Sequence, residues 1–278
     1  LITIVVLSVL SAAAYGNAAV LQHHEASTEP PEQSMRAGLV VRLARRPLWL
    51  LGAVLDGVGY LFQFLALRRG SLALVEPLLV LSLVFALPVA ARLEHRRITA
   101  SELRSVAVTV AGLALFLEIA HPALGNPRGS WEAWLGLSAV IAALCGALAL
   151  GARAGSPRRA AVLYSAASGT AFGYVAAVTE RTGHLLYQGV LHTLATWPPY
   201  VLVVAAVAAL ALTQSGFQAG VLSLSLPTLT IAQPLVALAI GIGFFGERVD
   251  ARGVRPAVEV IGLAMMTFGV YFLARSPV

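Results

Sequence analysis

The chain contains no lysine; all 19 basic residues are arginine. Charge of either sign is scarce, at 12% of 278 residues. That scarcity excludes a solvated globular surface. A single cysteine, Cys145, falls in the middle of an apolar run, which excludes a disulfide framework and a cysteine-based metal site. There is no G-x-x-x-x-G-K-[ST] loop, no G-x-S-x-G elbow and no H-E-x-x-H. Nothing therefore points to ATP coupling, covalent catalysis or a resident metal, and no cofactor is expected.

What is present is apolar sequence, 58% of the chain, with mean hydropathy +0.82. It comes in runs of about twenty residues, the length that crosses a bilayer, so the chain reads as an all-α integral membrane protein. The arginines cluster between those runs, as Arg45-Arg46, Arg68-Arg69, Arg96-Arg97 and Arg158-Arg159. There they act as topological anchors, and the isoelectric point of 10.1 does not signal nucleic acid. Trp49, Trp131, Trp134 and Trp197 stand near span ends and read as interfacial anchors.

Apolar spans cover 1–21, 48–67, 71–92, 102–120, 131–151, 159–179, 199–246 and 257–274. The seventh is too long for one crossing. Shifting the sequence by 157 residues divides it. Ser8, Ser11, Ala14, Gly16 and Ala19 then fall on Ser165, Ser168, Ala171, Gly173 and Ala176, and Gly59-Tyr60 falls on Gly216-Phe217. Glu76-Pro77-Leu78 falls on Gln233-Pro234-Leu235, and after a seven-residue deletion Gly112-Leu113-Ala114 continues onto Gly262-Leu263-Ala264. The turn Arg68-Arg69-Gly70 lands on Ser225-Leu226-Pro227, which predicts helices over 199–224 and 228–246.

Nine helices result, as two four-helix repeats, 1–120 and 158–278, joined by one extra helix within 121–157. An odd crossing between equal sets inverts the second, the arrangement common in secondary transporters. The match also makes the first span part of the fold, although LITIVVLSVLSAAAYG resembles a signal peptide. Twelve of the 19 arginines fall on one side, which predicts a cytoplasmic C-terminus and an outside N-terminus in the cytoplasmic (inner) membrane. The segment HHEASTEPPEQSMRAGLVVRLARRP turns from acidic to basic, and its second part suits an interfacial helix.

Ionisable residues inside hydrocarbon are costly and suggest function. Asp56 is the deepest, about nine residues into the second span or ~13 Å into a ~30 Å core. A carboxyl at that depth is costly when charged, which suits it to take up a proton from one side and release it to the other. Asp56, Tyr60 and Gln63 follow i, i+4, i+7 spacing and share one face, expected to line a substrate cavity. The alternative is an Asp paired within the bundle. Glu76 lies roughly 9 Å deep, and Pro77 beside it permits a helix break. Gln233-Pro234 repeats the arrangement from the other side, so both pairs are cavity-lining candidates, set against interfacial anchoring for Glu76.

Tyr15, Gln214 and Phe217 are secondary candidates. Ser8, Ser11 and Tyr15, like Ser165, Ser168 and Phe172, have spacing that reads as close helix packing. Glu118, Glu180 and Glu259 near helix ends, and Glu247 with Asp250 in a loop, read as anchors or solvated residues. His23-His24-Glu25 lacks the spacing of a metal site.

At GSLALVEPLLVLSLVFALP and SLPTLTIAQPLVALAIGIGFFGERV, the sequence resembles the drug/metabolite transporter superfamily. Its EamA-type repeats carry an apolar helix with a mid-helix proline, often followed by Gly-Glu-Arg as in Gly246-Glu247-Arg248. Four helices per repeat plus one resembles the NIPA-like magnesium transporter branch, with LVEPL in place of a Val-Thr-Pro-Leu motif. That branch carries Gly-Glu and then Asn on its second helix, where this chain has Gly59-Tyr60 and Gln63. The acid is missing, and Asp56 lies one turn away. The resemblance implies small-molecule transport by a permease or exporter. Expected partners are a small-molecule substrate, protons or a cation, and the lipid bilayer, with a homodimer left open. A magnesium transporter and a non-transporting membrane subunit are the alternatives.

Overall fold

The structure is a computed structural model describing residues 1–26, 43–120, 129–219, 222–247 and 255–275, with side chains except at 117–120, 222–223, 255–259 and 273–275. The expected interfacial helix, Glu118, Glu259 and Asp250 lie outside the described residues or side chains. Every described element is a helix, as backbone groups in hydrocarbon require internal partners. In chain order they are α1 (Ile2–Ala26), α2 (Pro47–Leu67), α3 (Leu72–Leu79), α4 (Ser82–Leu93), α5 (Ala100–Ala120) and α6 (Trp131–Arg153). Then come α7 (Pro157–Leu185), a 3-10 turn (Leu186–Gln188), α8 (Val190–Leu194), α9 (Pro198–Ala219), α10 (Leu222–Gly243) and α11 (Arg255–Arg275). Proline opens α2 and α7, where a missing N–H costs nothing. Ser130 and Ser156 cap α6 and α7 by accepting from the Ala133 and Arg159 N–H groups.

Among the described residues, seven helices are long and apolar enough to cross a membrane, with α3 and α4 together counting as one, so the protein is an all-α membrane protein. The expected count was nine. The two remaining long helices, α5 and α11, have 21 residues each and fall outside that set. No turn falls at the expected Ser225-Leu226-Pro227: α9 ends at Ala219, α10 begins at Leu222, and Pro227 is inside α10. Two hydroxyls that follow Pro227 bond back to carbonyls of the turn around it. Thr228 Oγ1 donates to the Leu224 carbonyl at 2.6 Å, and Thr230 Oγ1 to the Leu226 carbonyl at 2.8 Å.

The break after Pro77 also differs from expectation. Proline removes its own N–H, yet the helix opens three residues later, at Val80-Leu81. There the bonds tighten to i→i+3, Val80 N–H to Pro77 O at 3.2 Å and Leu81 N–H to Leu78 O at 3.1 Å.

Small residues set the packing. Gly16 of α1 lies against the Ser82 carbonyl of α4, and any Cβ there would collide with it. Gly173 of α7 meets the Gln233 carbonyl of α10, 2.8 Å from where its Cβ would be. Ser11 Oγ donates to the Gly59 carbonyl at 2.8 Å, joining α1 to α2. Its counterpart Ser168 donates to the Ala209 carbonyl at 3.1 Å, joining α7 to α9. Helices α5 and α11 cross at glycines, with the Gly262 carbonyl 2.7 Å from a Cβ at Gly112 and the Gly112 carbonyl 2.9 Å from a Cβ at Gly262. The outward faces are apolar, with Val54, Leu61, Val140, Leu150, Val204 and Phe268 all exposed. Of the four tryptophans, Trp131 is exposed, but Trp49 and Trp134 are buried and do not anchor at the surface. Trp134 packs against Trp197, Phe244 and Phe245, with ring centroids 5.0 to 5.8 Å apart.

The glycine crossing makes a test. Leucine at Gly112 must push α5 from α11, so Gly112→Leu should cost about 1–3 kcal/mol, read as a lower Tm in detergent. Gly146, with nothing within 4 Å, accepts leucine without a change in Tm. A Gly112→Leu protein that melts with the wild type would show that the helices do not meet there.

Candidate functional site

A cavity of about 360 Å3 opens between α1, α2, α4, α7, α9 and α10. Along α2 it runs from Trp49 to Gln63, which at the helical rise is ~21 Å. Its first-half wall carries Tyr15, Gln22, Asp56, Tyr60 and Gln63, and its second-half wall Phe172, Val175, Ala206, Leu210 and Phe217. Among the described residues Asp56 is the one charged side chain on that wall. The Val80-Leu81 break borders the cavity too, through Leu79 and Ser82.

The wall positions come in pairs 157 residues apart: Tyr15 with Phe172, Trp49 with Ala206, Ala53 with Leu210, Asp56 with Thr213 and Tyr60 with Phe217. In each polar pair the first half supplies the more polar member. The cavity is therefore more polar on its first-half side, while Thr213, Thr230 and Gln233 keep hydrogen-bonding groups on the second-half side.

Two hydrogen-bond chains back the polar face, each ending on a carboxyl. In the first, Trp49 Nε1 donates to Gln214 Oε1 at 3.3 Å, Gln214 Nε2 donates to Gln22 Oε1, and Gln22 Nε2 donates to Asp56 Oδ2. In the second, Tyr15 Oη donates to Gln63 Oε1 at 2.7 Å and Gln63 Nε2 donates to Glu76 Oε1 at 2.6 Å. Gln233 Nε2 completes it from α10, donating to Glu76 Oε2 at 2.9 Å across a separation of 157 residues. Every donor points toward the acid, so each chain polarises in one direction. Tyr60 shares a 3.1 Å bond with Thr179 Oγ1, tying α2 to α7.

The structure brings Asp56, Tyr60, Gln63, Tyr15, Phe217, Gln233 and Pro234 onto the cavity wall. Gln214 stands behind it as a link to Gln22, and Glu76 stands behind Gln63. Glu76 is fully buried, so it does not reach the headgroups. Pro77 lines a small gap of about 20 Å3 with Leu263 and Met266, away from the main cavity. Sequence reasoning missed Gln22, which joins Asp56 to Gln214. The 157-residue shift pairs it with Thr179, itself a bonded residue, and that pairing was the available signal.

Two further acids are buried, contrary to expectation. Glu247 was read as a solvated loop residue, but it caps α3, accepting from Leu72 N–H at 2.9 Å and Ala73 N–H at 3.0 Å. Gly246, at φ 65, makes the turn that brings it there. Burial pushes the Glu247 carboxyl above the usual carboxylate range, and the two N–H bonds offset part of that shift. Glu180 was read as an anchor near a helix end, yet it is fully buried on α7. Both exceptions arise because another helix covers the end of α3. Near the opposite end of the bundle, Glu25 pairs with Arg46 at 3.1 Å and His23 packs edge-on against Phe217.

The chain is similar to an uncharacterized protein of Corynebacterium glutamicum, 29% identical over 258 residues that cover 92% of this chain and 89% of that one. No family model matches the chain, and no solved structure matches it.

Gln63 is the joint between the cavity and Glu76. Replacing it by leucine keeps the volume but strands the Tyr15 hydroxyl and one Glu76 oxygen, a cost of about 1–3 kcal/mol for each buried group left unpaired. Thermal unfolding in detergent should show Gln63→Leu melting below wild type, and an unchanged Tm would mean that these bonds do not form.

Proposed function

We propose that the protein is a secondary transporter, not an enzyme, that moves a small amphiphilic metabolite or drug-like compound across the cytoplasmic membrane by alternating access. Asp56 is its proton-coupling residue, and Tyr60 and Gln63 bind substrate beside it. The observation that carries the reading is the pairing of cavity positions at an offset of 157, together with the direct Glu76–Gln233 bond at the same offset. Equivalent residues of repeats related by a two-fold axis touch where that axis passes between them. An axis in the membrane plane relates two inverted repeats, and exchanging their conformations opens the cavity first to one side and then to the other.

On this reading the chain has nine crossings, with α3 and α4 as one broken helix, α5 and α11 as the fourth and ninth, and α6 joining the repeats. It is of the drug/metabolite transporter kind, with the N-terminus outside and the C-terminus in the cytoplasm. The two faces of the cavity suit a substrate with a hydrogen-bonding head and an apolar flank. A single carboxylate on the wall favours proton exchange over magnesium, which prefers several charged oxygen ligands.

A flux assay in liposomes with internal pH and magnesium indicators tests this. The expected signal is a proton movement driven by substrate, with Asp56→Asn reducing coupled flux to background. Magnesium flux without a proton signal, or full coupling in Asp56→Asn, would sink the reading. Substrates for the assay come from a thermal-shift screen of metabolites and amines, because a ligand that binds the folded state raises its apparent stability.

A further inference from the structure

A second polar cluster lies beyond the cavity, where α2 turns into α3 against α7. Glu180 is fully buried, and neither of its carboxyl oxygens has a hydrogen-bond partner. Its carboxyl faces the Leu72 N–H. That N–H is already held by Glu247 at 2.9 Å, so two carboxyls converge on one amide. Ser71, the first residue of the turn into α3, is 2% exposed and its Oγ is also buried without a partner.

Among the described residues, several charged groups lie around it. On α7 itself His184 Nε2 is 3.9 Å from Glu180 Oε1, too long for a hydrogen bond, and Arg181 is the next residue along. From the α2–α3 turn, Arg68 lays its Cγ over Gly183, 2.9 Å from where a Cβ would be, and its guanidinium over the Tyr187 ring at 4.9 Å. The Tyr187 hydroxyl holds the Arg68 carbonyl at 3.1 Å. Glu247 comes from the loop after α10. Glu76 lies one turn further along α3 and is itself bonded to Gln63 and Gln233.

We propose that Glu180 is a second proton-binding site, distinct from Asp56, which holds its proton in this conformation because Glu247 occupies the donors that would stabilise its anion. The physical argument is one of competition. A buried carboxylate needs donors or a counter-charge, and a bare one beside a second carboxylate neutralises instead. Glu247 has two N–H donors at a helix N-terminus, where negative charge is favoured. Glu180 has none. When Glu180 loses its proton, His184, with Nε2 3.9 Å from Glu180 Oε1, is the side chain placed to pair with it. Glu76, Gln63 and Tyr15 then form the polar chain between this site and the cavity. The site's existence does not depend on the transporter reading, which supplies only its use.

Infrared difference spectra of the full chain in lipid vesicles, stepped from about pH 5 to about pH 9, across the range of perturbed carboxyls, read the proton directly. A carboxylic-acid carbonyl band present at neutral pH should persist in Asp56→Asn and be lost in Glu180→Gln. A band unchanged in Glu180→Gln overturns the proposal. Glu247→Gln gives a second, independent arm. With the competing charge gone, the Glu180 band should vanish at lower pH, by about one unit. A midpoint that stays in place overturns the competition argument. Coupled flux that survives Asp56→Asn would overturn the assignment of Asp56 and leave this band as it is.

Discussion

A carboxyl inside a bilayer has to find its donors within the protein, and Glu76 finds one in each half of the chain. Gln63 reaches it from α2 and Gln233 from α10, so one side chain fixes three helices at mid-bundle. Tyr15 brings in a fourth, α1, through Gln63. The cavity wall follows from that arrangement. With Gln63 held toward Glu76, the same face of α2 turns Asp56 and Tyr60 inward. In water such bonds contribute little net stability, but in hydrocarbon the alternative is an unpaired group, and the geometry becomes close to obligatory.

Much of this was legible in the sequence. Run length and charge scarcity gave the membrane class, and i, i+4, i+7 spacing put Asp56, Tyr60 and Gln63 on one face. The shift of 157 residues paired Glu76 with Gln233 before any contact between them was known. Hydropathy failed where depth along a helix and burial part company. Glu180 and Glu247 lie near helix ends, so depth alone suggests solvent, but lateral cover by neighbouring elements encloses both. Gln22 escaped notice for a related reason. A polar residue at the end of an apolar run looks interfacial until a partner such as Gln214 is found, 192 positions away. The helix ends were misplaced because a proline weakens a helix without fixing where it opens, as Pro77 and Pro227 show.

The paired cavity positions suggest how one fold supplies two unlike walls. Tyr15, Asp56 and Tyr60 have Phe172, Thr213 and Phe217 at the matching positions, so size and shape are nearly kept while the charge and the phenol hydroxyls are lost. Aromatic rings stay aromatic and only the hydroxyls go. Two acids facing each other in a space of this size would repel in a medium that screens poorly. Keeping the acid in one half alone avoids that cost. The relative from Corynebacterium glutamicum is similar over nearly the whole length, including both halves.

Glu247 joins the loop after α10 to the first turn of α3, two segments more than 170 residues apart in sequence. Its two bonds hold the Leu72 and Ala73 N–H groups that the first turn of the helix leaves unused. Separating α3 from this loop would expose a bare helix terminus and a carboxylate together, inside a layer that solvates neither. The bundle is therefore clasped at this end through backbone groups, and at the other, where Trp49, Gln22 and Phe217 border the cavity, through side chains. Glu247 thus works as a rivet does between two plates, setting the register of α3 against the loop after α10.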